Sequence, residues 1–167
     1  LSIARPAGKL NIYTLLSTVF GIGFIPFMPG TFGTAAAAAL YLLIREGIVE
    51  KAHVTLTILP LIVLAYFIGV FITGKAEKKL GHDAGSIVFD EFVGYFISVM
   101  FLPKSLLLAV YAFAIFRVFD IAKPYPIKLL QKLKGGWGVM TDDVLAGIYT
   151  NVFLQVLVRI YPKFFIY

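Results

Sequence analysis

Five of the nine carboxylates in this 167-residue chain fall into three clusters: Asp90-Glu91, Asp120 and Asp142-Asp143. Each cluster lies beside or inside a long apolar run. A carboxylate next to hydrocarbon is costly, and one that persists there ordinarily has a partner or a task. Carboxylate oxygens are hard ligands suited to Mg²⁺. Two adjacent acids can divide the work, one holding the metal and the other activating water. Arg117, Asp120 and Lys123 recur every three residues, so on a helix they share one face. That spacing sets a cation ligand between an arginine fork and a lysine point charge, both suited to phosphate. The residues therefore predict Mg²⁺-assisted phosphate chemistry. Asp90, Glu91, Asp120 and Asp143 are the expected metal ligands. These four and Asp142 together supply ligands and a general base.

Each segment has a structural alternative. Pro26-Phe27-Met28-Pro29-Gly30-Thr31-Phe32-Gly33-Thr34 offers glycines for close backbone approach and the hydroxyls of Thr31 and Thr34. Gly30, Thr31 and Thr34 are the candidate phosphate binders there, at a helix N-terminus. A tight turn with Thr34 as the helix cap explains the same residues without a ligand. Asp83 suits an acid complementing a helix dipole, whereas Asp90 and Glu91, flanked by apolar residues, suit that role less well. Arg117 and Asp120 can form a plain ion pair ending a helix, with Pro124 as the stop. Gly135-Gly136-Trp137-Gly138 reads as a loop, with Trp137 as an interfacial anchor and Thr141 or Asp142 as a cap. That cap accounts for one acid rather than two. His53 falls away from the clusters, and His82 reads as an exposed loop residue.

The elements that must position these groups follow from composition. The chain is 60% hydrophobic and 14% charged, with a mean hydropathy of +0.91. Soluble domains are about 45–50% apolar and about 25% charged. The expectation is an all-α integral membrane bundle, a single domain over residues 1–167, with the lipid bilayer as a partner. The net charge of +6 reads as lysine and arginine meeting anionic lipid. No basic, aromatic-interleaved face suggests nucleic acid. Without cysteine there is no disulfide, thiolate metal site or cysteine nucleophile. Arg5 and Lys9 precede an apolar stretch that runs into a Pro/Gly-rich segment, which favours a retained membrane segment over a signal peptide.

A helix of about 20 residues crosses a bilayer core. Residues 54–73 meet this, and 143–161 nearly do, with Asn151 and Gln155 expected to face the interior. Residues 87–102 and 105–119 read as a helical hairpin around Pro103-Lys104. Residues 34–44, with alanines 35–39, read as a packed inner helix. Residues 10–28 form an irregular membrane segment, and 127–133 a short interfacial helix. That makes about five spanning or partly spanning helices. Residues 45–53, 74–86 and 120–141 are left as polar connections. Alternating the spans puts all three acid clusters and the Pro29-Gly30-Thr31 turn on one side. More lysines and arginines fall on that side, which predicts that it is cytoplasmic.

At these four segments, from Pro26 to about Tyr149, the chain resembles the phosphatidylglycerophosphatase A family. The shared patterns are PGTFGT, the acid-containing run from Asp83 to Glu91, R-x-x-D-x-x-K-P from Arg117, and GGWGVMTDD ending at Asp143. Thr34 stands where serine is expected, and Phe89 where tryptophan or another apolar residue is common; neither change removes a charge. The resemblance implies a Mg²⁺-dependent enzyme of the bacterial cytoplasmic membrane. Its substrate would be phosphatidylglycerophosphate and its products phosphatidylglycerol and phosphate. Another lipid-phosphate phosphatase, a headgroup phosphotransferase, and a cation-conducting or scaffold protein are the alternatives. The last expects acids spread through the membrane depth rather than gathered at one face.

Overall fold

The computed structural model describes residues 11–54, 56–82 and 84–165; residues 1–10 with Arg5 and Lys9, Asp83, and the His53 side chain lie outside that description. The described residues are helical, with no strand among them. Helix α1 (Ile12–Ser17) leads through a 3₁₀ turn (Ile22–Phe24) into α2 (Pro29–Leu43) and α3 (Glu46–Val54). Then come α4 (Ile58–Leu80), α5 (Phe89–Ser98), α6 (Leu106–Ala122), α7 (Ile127–Leu130), α8 (Gly136–Ile160) and α9 (Pro162–Phe165). Two of them, α4 and α8, are long and apolar enough to cross a membrane.

Helix α5 is the centre of the packing and touches α2, α4, α6 and α8. Glycines allow the close approach to α8. A Cβ on Gly94 would lie 2.8 Å from the Asp143 carbonyl oxygen, and one on Gly147 would lie 2.5 Å from that of Gly94. The irregular N-terminal segment packs on α4 and holds the entry to α5, where the Val88 N–H donates to the Ser17 carbonyl at 2.9 Å. Thr14, Ser17 and Thr18 are buried there.

Several expected boundaries shift, each for a local or long-range reason. Helix α2 begins at Pro29, which suits the first helical position, so Thr34 lies inside the helix and is not its cap. The 45–53 connection is mostly helical, as α3. Helix α4 extends to Leu80 through the first half of the expected 74–86 loop. Helix α5 is only 10 residues, about 15 Å at 1.5 Å per residue, or half of a bilayer core of about 30 Å. It stops early because Asn151 donates to the carbonyls of Ser98 (3.1 Å) and Met100 (2.6 Å). Gln155 in turn donates to Asn151 Oδ1 at 2.7 Å, so this pair faces the interior as its spacing predicts. The interfacial helix shrinks to the single turn α7, with Ile127 buried.

The largest shift is in α8. Gly136-Trp137-Gly138 is helix rather than loop. Low glycine propensity gives way to packing: a Cβ on Gly136 would sit 2.0 Å from the Val70 carbonyl oxygen. Trp137 meets Tyr66 and Phe67 edge-on. The helix is capped at Gly135, so neither Thr141 nor Asp142 is a cap. The alanine run is also only partly packed. Ala37 is fully buried, but Ala35 and Ala39 are exposed.

Candidate functional site

The acids come from three helices that meet at one end. Asp90 and Glu91 sit in the first turn of α5. Asp120 lies in the last turn of α6. Asp142 and Asp143 lie in the second turn of α8. Asp90, Glu91 and Asp143 each offer a carboxylate oxygen, and these atoms lie within 4.8 Å of one another. Asp120 and Glu91 are both close enough to Asp143 to repel its charge.

Two cations enter the same cluster. Arg117 Nη1 lies 2.5 Å from Asp120 Oδ2 and 3.6 Å from Glu91 Oε1. Lys123 Nζ lies 2.5 Å from Asp142 Oδ2. Lys123 ends α6 in the left-handed region, at φ 42°, directly before Pro124. The proline stop is therefore as expected, and it turns the lysine toward α8. Burial of the Lys123 ammonium lowers its pKa, but the Asp142 hydrogen bond and the charges of Asp142, Asp143 and Asp120 outweigh it. The net shift is upward from the ordinary 10.5.

Helix α2 closes the other flank. A Cβ on Gly30 would lie 2.1 Å from Glu91 Oε1 and 2.9 Å from Arg117 Nη1, so only glycine lets the backbone approach this closely. Thr34 is fully buried and donates to the Gly30 carbonyl at 2.9 Å, which commits its proton within the helix. Of the candidate phosphate binders on α2, Gly30 and Thr31 stand nearer to a free valence than Thr34.

Among the described residues, four buried side-chain polar atoms have no hydrogen-bond partner: Thr31 Oγ1, Asp90 Oδ1, Glu91 Oε2 and Arg117 Nε. They come from α2, α5 and α6, the three helices that join α8 around the cluster. Buried polar groups are nearly always satisfied, so a set of orphans in one place points to a missing ligand. Unpaired carboxylate oxygens and an excess of acids over cations fit a hard divalent cation such as Mg²⁺. Asp90, Glu91 and Asp143 are the residues best arranged to hold it. Asp120 is drawn toward Arg117, and Asp142 toward Lys123.

Sequence reading overlooked some positioning residues. Gly94 and Gly147 carried a usable signal, since small residues in apolar helices mark close contacts. Ser17 carried none, because its carbonyl is what holds α5. His82 Nδ1 pairs with Glu77 Oε1 at 2.7 Å, and its side chain is mostly exposed.

The phosphatidylglycerophosphatase A family model matches residues 15–158. A phosphatidylglycerophosphatase A of Haemophilus influenzae is 41% identical over 146 residues, 86% of this chain and 86% of the relative. One from Escherichia coli K12 is 36% identical over 161 residues, 91% of this chain and 87% of the relative. A Bacteroides thetaiotaomicron protein, provisionally named a phosphatidylinositol-3-phosphatase, is 37% identical over 145 residues, 85% and 91% of the two chains. No solved structure matches the chain.

Proposed function

The chain belongs to the phosphatidylglycerophosphatase A family and is a phosphatase, a phosphoric monoester hydrolase; from that premise we propose that it hydrolyses phosphatidylglycerophosphate to phosphatidylglycerol and phosphate. The reaction takes place at the cytoplasmic face of a bacterial inner membrane, with Mg²⁺ as cofactor and the helices embedded as a multi-pass bundle. The observation that carries this reading is the convergence of buried acids from α5, α6 and α8 with Arg117 and Lys123.

Asp90, Glu91 and Asp143 would hold Mg²⁺, with Asp120 beside them. When bound, Mg²⁺ neutralises phosphoryl charge and makes water more acidic. Arg117 keeps Nε free while Asp120 and Glu91 hold its Nη1, so the guanidinium is oriented in advance for phosphate. Thr31 Oγ1 supplies a further unpaired donor. Lys123 is held by Asp142 and places a second positive charge at the phosphate side. A carboxylate of the cluster not engaged with metal accepts the proton of the attacking water. A covalent aspartyl phosphate is the alternative route.

A second headgroup is supported by one observation, the relative named for phosphatidylinositol 3-phosphate. The test is phosphate release by purified protein from phosphatidylglycerophosphate and from phosphatidylinositol 3-phosphate, with Mg²⁺ and with EDTA. Release from the first, abolished by EDTA, is expected. Release from the inositol lipid alone would change the substrate, and release untouched by EDTA would remove the metal.

A further inference from the structure

Part of the alanine run of α2 forms one wall of a groove against α6. Ala35, Ala38, Ala39 and Leu42 face Ala109, Val110 and Phe113 across a space of about 290 Å³. Helices α2 and α6 pack together, yet Val110 remains 54% exposed, so the groove opens sideways.

By helical register, the faces of α2 and α6 that line it continue toward the acid cluster. Thr31, Ala35, Ala38 and Leu42 recur at helical spacing and occupy one face of α2. Arg117, Phe113 and Val110 do the same on α6, which runs the opposite way. At the head of both faces stand Thr31 and Arg117, each with a buried polar atom that lacks a partner. A ligand with a phosphate above and a hydrocarbon tail below matches this order of chemistry. Alanine makes the groove possible, since larger side chains at these positions would fill it.

Two other apolar grooves lack this connection. The one between α4 and α5 begins at Phe89. There the N-terminal segment packs over the α5 entry, with Ser17 holding Val88 and Gly23 against Ser86. The one along α8 runs from Phe119 to Val156. Beside its head, the Tyr149 hydroxyl donates to the Tyr125 carbonyl.

We propose that the α2–α6 groove binds one acyl chain of the lipid phosphate while its headgroup occupies the Arg117 end. This rests on the reading of the chain as a lipid phosphatase and extends it to how the substrate enters, laterally between α2 and α6.

The test uses the full chain in detergent micelles with a phosphatidylglycerophosphate analogue carrying a diazirine midway along one acyl chain. Photolabelling is expected on the α2 and α6 peptides that contain Ala35 to Leu42 and Val110 to Phe113. Ala39→Trp and Val110→Trp, both at exposed positions, should each displace that label. They should also lower the preference for dihexadecanoyl over dibutanoyl substrate by about tenfold, the equivalent of losing about two buried methylenes. Leu40→Trp, on another face of α2, should do neither. Label confined to α4 or α8 while turnover persists would overturn the groove and leave the phosphatase reading intact. Label in the groove without turnover would support the groove and overturn the phosphatase reading. Unchanged label and chain-length preference in both tryptophan variants would also overturn the groove.

Discussion

Asp90, Glu91 and Asp143 crowd like charges into a buried space. Like charges buried together cost stability unless a cation offsets them. Asp143→Asn should therefore raise the melting temperature of metal-free protein, by about 2–4 °C for each kcal/mol relieved. The same change should lower turnover by about 10²–10⁴-fold, the usual range for loss of a positioned acid or base. Thermal unfolding with EDTA and phosphate release with Mg²⁺ check the two halves separately. A fall in both would mark Asp143 as structural. Arg117 behaves oppositely. Arg117→Ala leaves Asp120 and Glu91 without their counter-charge, and breaking such a buried pair costs about 3–5 kcal/mol. Denaturant titration measures that loss. Lys123 gives the pH dependence. Its folded pKa lies above the ordinary 10.5, so its stabilisation is fully present below that value and is lost as pH rises through the folded value. Alkaline unfolding should begin earlier in Asp142→Asn, which removes the partner charge.

At the scale of elements, glycines decide how near the helices come. Gly30→Ala adds no charge and removes none, yet its Cβ would strike Glu91 and Arg117. The expected result is loss of turnover by more than about tenfold, since displacements of about 1 Å can cost about 10²-fold. Gly147→Ala pushes α8 from α5 at the Gly94 carbonyl, and overpacking of this kind costs about 1–3 kcal/mol. Thermal unfolding of each variant distinguishes the two effects. The longer apolar helices were legible from their runs, and the end of α6 from Pro124, whereas the polar helix α3 was not. The ends of α5 and α8 were not. Nothing in Val99-Met100-Phe101-Leu102 breaks a helix, and the Asn151 amide that ends α5 lies some fifty residues later. Gly136-Trp137-Gly138 reads as a loop until α4 is set against it.

For the molecule as a whole, two apolar helices and relatives that are lipid phosphatases indicate membrane association. The chain should sediment with membranes and resist carbonate extraction; release by carbonate would make it peripheral. The gathering of acids at one end separates this molecule from one that lines a cation path, where acids would be spaced along the helices. Residue types and their order alone determined which groups would be brought to that end. Apolar runs alternating with polar turns predict that the chain returns to the same side at Pro29, Asp90, Asp120 and Asp142. Only the tertiary structure decided the partners: Arg117 with Asp120 and Glu91, Lys123 with Asp142, and Asp90, Glu91 and Asp143 with carboxylate oxygens within 4.8 Å of one another. Those choices depend on contacts of a few ångströms between helices distant in sequence, at Gly30, Gly94 and Gly147; small residues mark such contacts, but no local pattern names the partner.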